Sequence, residues 1–193
     1  MTNEWDAAAD TFDDEPDHGL RSPAVRAAWS ALLVSVLPAA PVTVADLGCG
    51  TGSLTVLAAG LGHRAVGLDS SAGMLDRARR KAAAHGVVVP LVRGDVERPP
   101  FAGGSFDVVL VRHVLWAVRR PAAAVARWID LLRGPHGLLV LVEGRWSTGA
   151  GLSAAECAAL VPDGRVRRLD DPALWGGPIG DERYLVTSRT ATP

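Results

Sequence analysis

Apolar residues in the middle of the chain fall into two kinds of pattern. Short continuous apolar runs predict strands, and the stretches between them repeat at the spacing of a helix. The predicted strands cover residues 42–47, 64–68, 87–92, 106–111 and 137–142, with two weaker ones at 166–169 and 184–188. The predicted helices cover residues 53–61, 71–85, 121–132 and 154–161. Because the runs lack in-and-out alternation, we expect strands covered on both faces, as in a parallel sheet wrapped by helices.

The region before the first strand has two parts. Residues 23–37 show helical spacing, and Pro23 suits the first turn of such a helix. Residues 3–22 are acidic and lack periodicity, which is typical of a solvated terminus and also fits a lid over a cationic ligand. We expect residues 1–38 to form an N-terminal cap or helical segment of a single domain that spans residues 1–193.

Composition narrows the classes of partner and compartment. The chain has 193 residues, 48% of them hydrophobic, and a net charge of −1, which gives no general attraction to nucleic acid or to anionic membranes. The apolar stretch 24–45 is interrupted by two serines and two prolines, so it predicts neither a secretory signal nor a membrane span. Cys49 and Cys157 are far apart, and a disulfide at Cys49 would obstruct the glycine run around it. We therefore expect a reduced, cytoplasmic protein without nucleic-acid or membrane partners.

The stretch VADLGCGTGSL places three glycines, at every second position, directly after the first predicted strand. In open α/β sheets, ligands bind beyond the carboxyl ends of the strands. Residues without a Cβ let the main chain approach a ligand closely, and the N–H groups of a following helix can donate to an anionic group. This turn is therefore the candidate ligand site.

Two acids after neighbouring strands help to identify the ligand class. A phosphate-binding P-loop needs a lysine after its last glycine, and a dinucleotide fingerprint needs a glycine where this chain has Ser53. Asp69 ends the second strand and Asp95 follows the third. Carboxylates accept hydrogen bonds from ribose hydroxyls and from an exocyclic amine, but they repel phosphate. The pair therefore favours an adenosine group.

At this point the chain shows a resemblance to a known family. The segments VADLGCGTGSL, VGLDSSAGML, VRGDVERPPFAGGSFDVVLVRHVLW and LLRGPHGLLVLVEG resemble, in order and spacing, the successive motifs of the class I S-adenosylmethionine-dependent methyltransferases. The similarity covers about residues 42–144, and both ends of the chain are similar to small bacterial, type 11/25-like members. It implies an α/β, Rossmann-like, doubly wound and mostly parallel seven-stranded sheet in the order 3-2-1-4-5-7-6. The last strand would be antiparallel, and helices would cover both faces.

The resemblance also implies S-adenosylmethionine as the cofactor and assigns residues to it. Asp46 and the main chain around Gly48, Gly50 and Gly52 would hold its methionine end. Asp69 would hold the ribose, with Ser70 and Met74 beside the adenine. Asp95, helped by the main chain of Val96, would bind the adenine amine. Arg112 would line the sulfonium side. No metal is implied, because the metal-dependent branch of the family has acids where this chain has Arg112 and His113.

Methyl transfer from a positively charged sulfur depends mainly on alignment, which contributes about 7–11 kcal/mol to lowering the barrier. A base is needed only when the nucleophile is protonated. His113 follows the fourth strand and is the candidate base, and a structural histidine in a loop is the alternative. His18 would reach the same site if the N-terminal segment folds over it. Trp116 and Trp146 either wall an apolar acceptor pocket or are simply buried.

The sequence therefore favours methyl transfer to a small-molecule acceptor by in-line displacement. The chain has little beyond the core fold and no basic stripe for nucleic acid. Small bacterial members of the family imply a secondary metabolite or a lipid-like acceptor. Two alternatives stay open: a protein that binds S-adenosylmethionine without methylating, and a nicotinamide-dependent dehydrogenase.

Overall fold

A sheet of seven strands organises residues 4–189, the part of the chain that the computed structural model describes. The ends of the predicted domain, residues 1–3 and 190–193, lie outside the described residues. The strands are β1 (Thr43–Leu47), β2 (Arg64–Asp69), β3 (Leu91–Arg93), β4 (Val108–Arg112), β5 (Leu138–Arg145), β6 (Arg165–Arg168) and β7 (Glu182–Arg189).

Seven helices accompany the strands in this part of the chain. They are α1 (Glu4–Ala8), α2 (Pro16–Gly19), α3 (Pro23–Val36), α4 (Ser53–Gly60), α5 (Ala72–Ala84), α6 (Pro121–Asp130) and α7 (Ala154–Ala159). The hydroxyl of Ser71 caps α5 by accepting the N–H of Met74 at 3.1 Å. Between residues 4 and 189, no helix combines the length and the apolar content that a membrane crossing requires.

The strand order is β3-β2-β1-β4-β5-β7-β6, which confirms the predicted order and fold class. The strands from β3 to β5 pair in parallel, whereas β7 runs antiparallel to both β5 and β6. Leu47 of β1 pairs with Leu68 of β2 and with Val111 of β4. This register brings the carboxyl ends of the three strands to one edge of the sheet.

The central strands are apolar throughout because both faces of the sheet are covered. Along β4, Leu110 packs in a cluster with Trp29 of α3, and Val111 packs in a second cluster with Trp128 of α6. Trp29 and Trp128 are fully buried, as their helical spacing predicts. Burial of each large apolar side chain contributes about 1.5–3 kcal/mol, so the two layers hold the carboxyl edge rigidly in place.

The structure differs from the predicted elements in two places. The third strand covers only Leu91–Arg93, because Val88 is 97% exposed and Pro90 has no N–H to donate to a ladder. The acidic residues before Pro23 are not a simple solvated terminus. From Glu4 onward they form α1, a 3₁₀ turn at Phe12–Asp14 and α2, which lie against the carboxyl edge of the sheet.

Candidate active site

The turn between β1 and α4 brings the glycine run to the carboxyl edge of the sheet. Gly48 and Gly52 have φ of 73° and 77°, in the region that glycine adopts without a steric penalty. A Cβ on Gly48 would lie 2.4 Å from Cγ2 of Val114. A Cβ on Gly52 would lie 2.8 Å from the Cβ of Ala78, so this glycine allows α4 to pack on α5.

A cavity of about 420 Å³ opens at this edge, within the range of about 300–1,000 Å³ typical of small-molecule sites. Nearly all of the predicted site residues line it. They are Asp46, Gly48, Gly50, Asp69, Ser70, Met74, Asp95, Val96, Arg112, His18 and His113. Gly52 is the exception, since it does not line the cavity and contacts Ala78 instead.

Two buried carboxylates stand at the ends of β1 and β2. Asp46 is 2% exposed and accepts the hydroxyl of Thr55 at 2.5 Å. Burial raises its pKa to about 6, although the bond from Thr55 partly offsets the shift. Asp69 accepts the N–H groups of Gly50 at 2.8 Å and Ser71 at 2.9 Å, and burial raises its pKa. Because the ionised forms are poorly solvated here, a cationic or hydroxyl-rich ligand would stabilise them.

The turn after β3 forms the next part of the wall. Asp95 is exposed, and its carboxylate accepts the N–H of Glu97 at 2.8 Å. The carbonyl of Val96 accepts the indole N–H of Trp128 at 2.8 Å, which ties this turn to α6. Met74 is buried beneath the same part of the cavity. The third predicted acid is therefore present in the cavity on an anchored turn.

Lys81 holds the N-terminal segment, residues 4–19, against the glycine run. It is the only lysine of the chain and is 13% exposed. Its ammonium lies 2.9 Å from Asp13 and donates to the hydroxyls of Thr51 at 2.8 Å and Ser53 at 2.6 Å. All three donors of the ammonium are thus used. Its helical spacing predicts that Lys81 lies on the solvated face of the helix, and the structure corrects this, because the ammonium is largely buried against three partners.

Arg112 connects the end of β4 to the same segment. Its guanidinium donates to the carbonyl oxygens of Asp17 at 2.6 Å and His18 at 3.4 Å, and it lies 4.9 Å from the ring centroid of Trp29. These contacts hold His18 near the end of β4, where it lines the cavity. The ring of His18 stacks on Phe12 with centroids 4.4 Å apart.

His113 follows β4 with φ of 55°, an unusual conformation for a residue with a side chain. Its ring lies 5.2 Å from Trp146 and 6.1 Å from Trp175, and its Nε2 is buried without a hydrogen-bond partner among residues 4–189. Burial, together with the charges of Arg112 and Arg183, holds the pKa of His113 well below its usual value. The imidazole is therefore neutral at pH 7.

Trp116 and Trp146 extend this wall, and contacts with neighbouring residues hold both indoles in place. The indole N–H of Trp116 donates to the carbonyl of His113 at 2.9 Å, and the rings of Trp116 and Trp146 lie 6.0 Å apart. The guanidinium of Arg183 lies 5.0 Å from the ring centroid of Trp146. Both indoles line the cavity, which agrees with the first of the two expectations for them.

Glu143, at the end of β5, fixes the turn that carries these residues. It is fully buried, and its Oε1 accepts the N–H groups of Val114 at 2.9 Å and Leu115 at 2.7 Å. Burial raises the pKa of Glu143 to about 7. The sequence reasoning missed this residue, although an acid that follows five apolar residues of a buried strand is a recognisable signal.

Asp17, His18 and His113 bring potential metal-ligand atoms within 4.8 Å of one another. Burial, and to a smaller extent the charge of Arg112, lowers the pKa of both histidines, and the Arg112 guanidinium contacts the main chain of Asp17 and His18. The same charge opposes a divalent cation. The cluster is better suited to accept a hydrogen bond from a neutral ligand.

Comparison with known proteins found a matching family model and similar relatives. The family model described as a methyltransferase domain matches residues 45–141. A demethylmenaquinone methyltransferase from Renibacterium salmoninarum is 34% identical over 116 residues, which cover 60% of this chain and 47% of that protein. A ubiquinone biosynthesis O-methyltransferase from Ruegeria pomeroyi is 36% identical over 103 residues, which cover 53% of this chain and 41% of that protein.

The fold is also similar to that of a solved [4+2]-cyclase, SpnF, with a TM-score of 0.72. The match has 16% identity and covers 86% of this chain and 81% of the other. At that identity the likeness concerns the fold alone. The chain spans less than half the length of the curated relatives that it matches.

Proposed function

The chain belongs to the class I S-adenosylmethionine-dependent methyltransferase family, and on that premise we propose that it transfers a methyl group from S-adenosylmethionine to a small-molecule acceptor. One observation carries the proposal. Acids at the carboxyl ends of three neighbouring strands, Asp46 in β1, Asp69 in β2 and Asp95 after β3, line one cavity with the glycine main chain. A second wall of the same cavity is aromatic and offers a neutral imidazole.

The residues present fit the cofactor. Asp46, whose buried carboxylate has a raised pKa, would gain an ionic partner in the ammonium group of the methionine end. Asp69 would accept from the ribose hydroxyls, and Asp95 from the adenine amine. The main chain of Gly48, Gly50 and Gly52 would lie near the methionine end. Ser70, Met74 and the main chain of Val96 would surround the adenine, and Arg112 would lie on the sulfonium side. Gly52 would act only indirectly, since it does not line the cavity.

S-adenosylmethionine supplies a methyl group already activated by a positive sulfur, so the protein contributes alignment and exclusion of water. The N-terminal segment, as the cap of a single domain, would close the cavity through Lys81 and Arg112. His113 would accept the proton of a protonated nucleophile. His18 lines the same cavity close to His113 and would orient the acceptor.

The acceptor is proposed to be a small molecule because the cavity is small. A volume of about 420 Å³ must accommodate the reacting part of both partners. The two methyltransferase relatives described above carry the names of quinone pathways, which agrees with compact ring acceptors. A secondary metabolite of this kind would fit the same space.

The proposal is tested by transfer of labelled methyl groups. The purified chain is incubated with methyl-labelled S-adenosylmethionine and a fractionated small-molecule extract, beside the Asp69→Ala variant as the matched control. We expect label to enter an extractable small molecule with the wild type only. If S-adenosylmethionine binds but no fraction gains label, methyl transfer is contradicted.

The role of His113 is tested separately. We expect His113→Ala to lower turnover at least tenfold and to change the affinity for S-adenosylhomocysteine less than about twofold, because general base catalysis contributes about 10²–10⁴-fold. Steady-state kinetics and calorimetry measure the two quantities. Unchanged turnover would exclude the base role.

A second candidate function keeps the cofactor pocket without methyl transfer. The likeness to a cyclase shows that this fold is not restricted to methyltransferases. The labelling experiment separates the two candidates, because a non-methylating protein would take up the cofactor and leave every acceptor unlabelled.

A further inference from the structure

The cavity wall beyond the ends of β4 and β5 includes His113, whose ring lies among aromatic rings. Nε2 of His113 is buried and lacks a partner within the described chain. Such an atom costs free energy unless a ligand pairs with it. Trp116 and Trp146 line the cavity beside it, together with the apolar side chains of Val114 and Val118.

The two indoles are held in place before any ligand arrives. Trp116 remains 41% exposed although its N–H is bonded to the His113 carbonyl. Trp146 has the Arg183 guanidinium over its ring, and the main chain of Gly151 lies so close that a Cβ there would come within 2.5 Å of the indole. Rigid aromatic surfaces bind flat rings at little entropic cost, because few side-chain rotamers must be frozen.

The charges around this wall favour a neutral ligand. Arg112 is the only lysine or arginine that lines the cavity within residues 4–189, and its guanidinium is bonded to two carbonyl oxygens. Arg183 pairs with Asp181 at 3.1 Å and does not line the cavity. A carboxylate or phosphate on the ligand would therefore find no dedicated partner.

From these observations we propose that the wall formed by His113, Trp116 and Trp146 binds the acceptor as a small planar phenol, with its hydroxyl donating to Nε2 of His113. This inference rests on the proposed function, since it names the class of molecule that would be methylated. The cavity of about 420 Å³ also holds the proposed cofactor site, so the acceptor must be compact.

A phenol suits the weak basicity of this histidine better than an aliphatic alcohol does. The neutral imidazole, with its lowered pKa, takes a proton readily only from an acidic hydroxyl. A phenolic hydroxyl has a pKa near 10 in water, as in tyrosine. A positive sulfonium nearby lowers that value further.

The reaction balances with these groups alone. The phenol oxygen forms a bond to the methyl carbon while the carbon–sulfur bond breaks, and that bond's electron pair stays on sulfur. The phenolic proton passes to Nε2 of His113. The products are a methyl aryl ether and S-adenosylhomocysteine, and the proton leaves from the imidazole to solvent.

The experiment measures binding of three matched probes to the full chain saturated with S-adenosylhomocysteine. The probes are 2-naphthol, 2-methoxynaphthalene, which lacks the hydroxyl proton, and decahydro-2-naphthol, which is not planar. Calorimetry gives the affinities, and nitrogen NMR of the His113 ring reports whether Nε2 accepts a hydrogen bond. We expect 2-naphthol to bind at least about fivefold more tightly than either of the others.

Variants locate the binding wall. Trp116→Ala should weaken 2-naphthol binding about fivefold, whereas Val88→Ala, at a fully exposed position, should leave it unchanged. His113→Phe keeps the ring and removes the nitrogen, so 2-naphthol and 2-methoxynaphthalene should then bind equally. Because phenylalanine is strained at this φ, His113→Gly, which adopts the conformation freely and has no side-chain acceptor, serves as a second variant with the same expectation.

The proposal is overturned if 2-naphthol fails to bind, if decahydro-2-naphthol binds as tightly, or if Trp116→Ala leaves the affinity unchanged. If the wild type still binds S-adenosylhomocysteine in these cases, only the acceptor class is contradicted and the proposed function is not. Loss of that uptake in the wild type would overturn the proposed function together with the acceptor class.

Discussion

The cavity has two halves that are built in different ways. The acidic half consists of Asp46, Asp69 and Asp95 with the glycine main chain, and its groups come from the carboxyl ends of β1, β2 and β3 and the turns after them. The aromatic half consists of His113, Trp116 and Trp146. Its supporting contacts come from Trp175 and Arg183, which are distant in sequence.

On the proposed function, this difference separates the residues that bind the cofactor from those that select the acceptor. The acidic half uses main-chain groups and carboxylates placed by the parallel sheet itself. The aromatic half uses stacked side chains whose positions depend on tertiary contacts. We therefore expect changes in the acidic half to alter cofactor binding, and changes in the aromatic half to alter acceptor binding alone.

The largest expected effect is at Gly48, where the two halves touch. In Gly48→Ala the new Cβ would lie 2.4 Å from Val114, at a φ of 73°. Overpacking and left-handed strain together cost about 2–5 kcal/mol, which lowers Tm by about 5–15 °C. Thermal unfolding followed by circular dichroism measures the shift.

Gly50→Ala is the matched control for that variant. Its φ is 54°, but the nearest atom to a Cβ is in the Phe12 ring at 3.6 Å, an ordinary contact. We expect less than half the loss in Tm. Equal losses in the two variants would show that the contact with Val114 does not join the halves.

The second effect concerns Asp69. Asp69→Ala removes charge-assisted hydrogen bonds worth about 1.5–3 kcal/mol, so the affinity for S-adenosylhomocysteine should fall about 10–100-fold. Trp116→Ala should change the same affinity less than about twofold. Calorimetric titration of both variants checks the contrast. A comparable loss in Trp116→Ala would contradict the division into two halves.

The smallest effect is a difference in pH dependence. Because the free carboxyl of Asp46 has a pKa of about 6, cofactor binding that requires its ionised form should tighten about tenfold between pH 5 and pH 7. Asp46→Asn should flatten most of this dependence. Affinity of the aromatic half for 2-naphthol should change less over the same range, since burial holds the pKa of His113 well below its usual value. Flat cofactor affinity in the wild type would exclude Asp46 from the ammonium site.

The acidic half was predictable because its geometry follows from local sequence. Parallel strands end at one edge, so acids placed just after apolar runs converge there, as Asp46 and Asp69 do. The sheet order came from the family resemblance, and the structure confirms it. The third strand shows the largest difference from its predicted length, since Pro90 has no N–H for a ladder and Val88 is exposed.

The supports of the aromatic half were not predictable in the same way. Periodicity assigns a residue to a face of an element, but it does not say which distant side chain stacks on it. The placement of Arg183 over Trp146, or of His18 across from His113, depends on where β7 and the N-terminal segment pack. The roles of Glu143 and Lys81 were not assigned because their partners, the N–H of Val114 for one and Asp13 and Thr51 for the other, are distant in sequence.

The central claim is that the acidic half is an adenosyl site for S-adenosylmethionine. Calorimetric titration of the wild-type chain with S-adenosylhomocysteine, beside a titration with NAD, tests it most directly. The account predicts saturable uptake of one S-adenosylhomocysteine per chain and no comparable uptake of NAD. Absence of S-adenosylhomocysteine binding, or tighter binding of NAD, would contradict it.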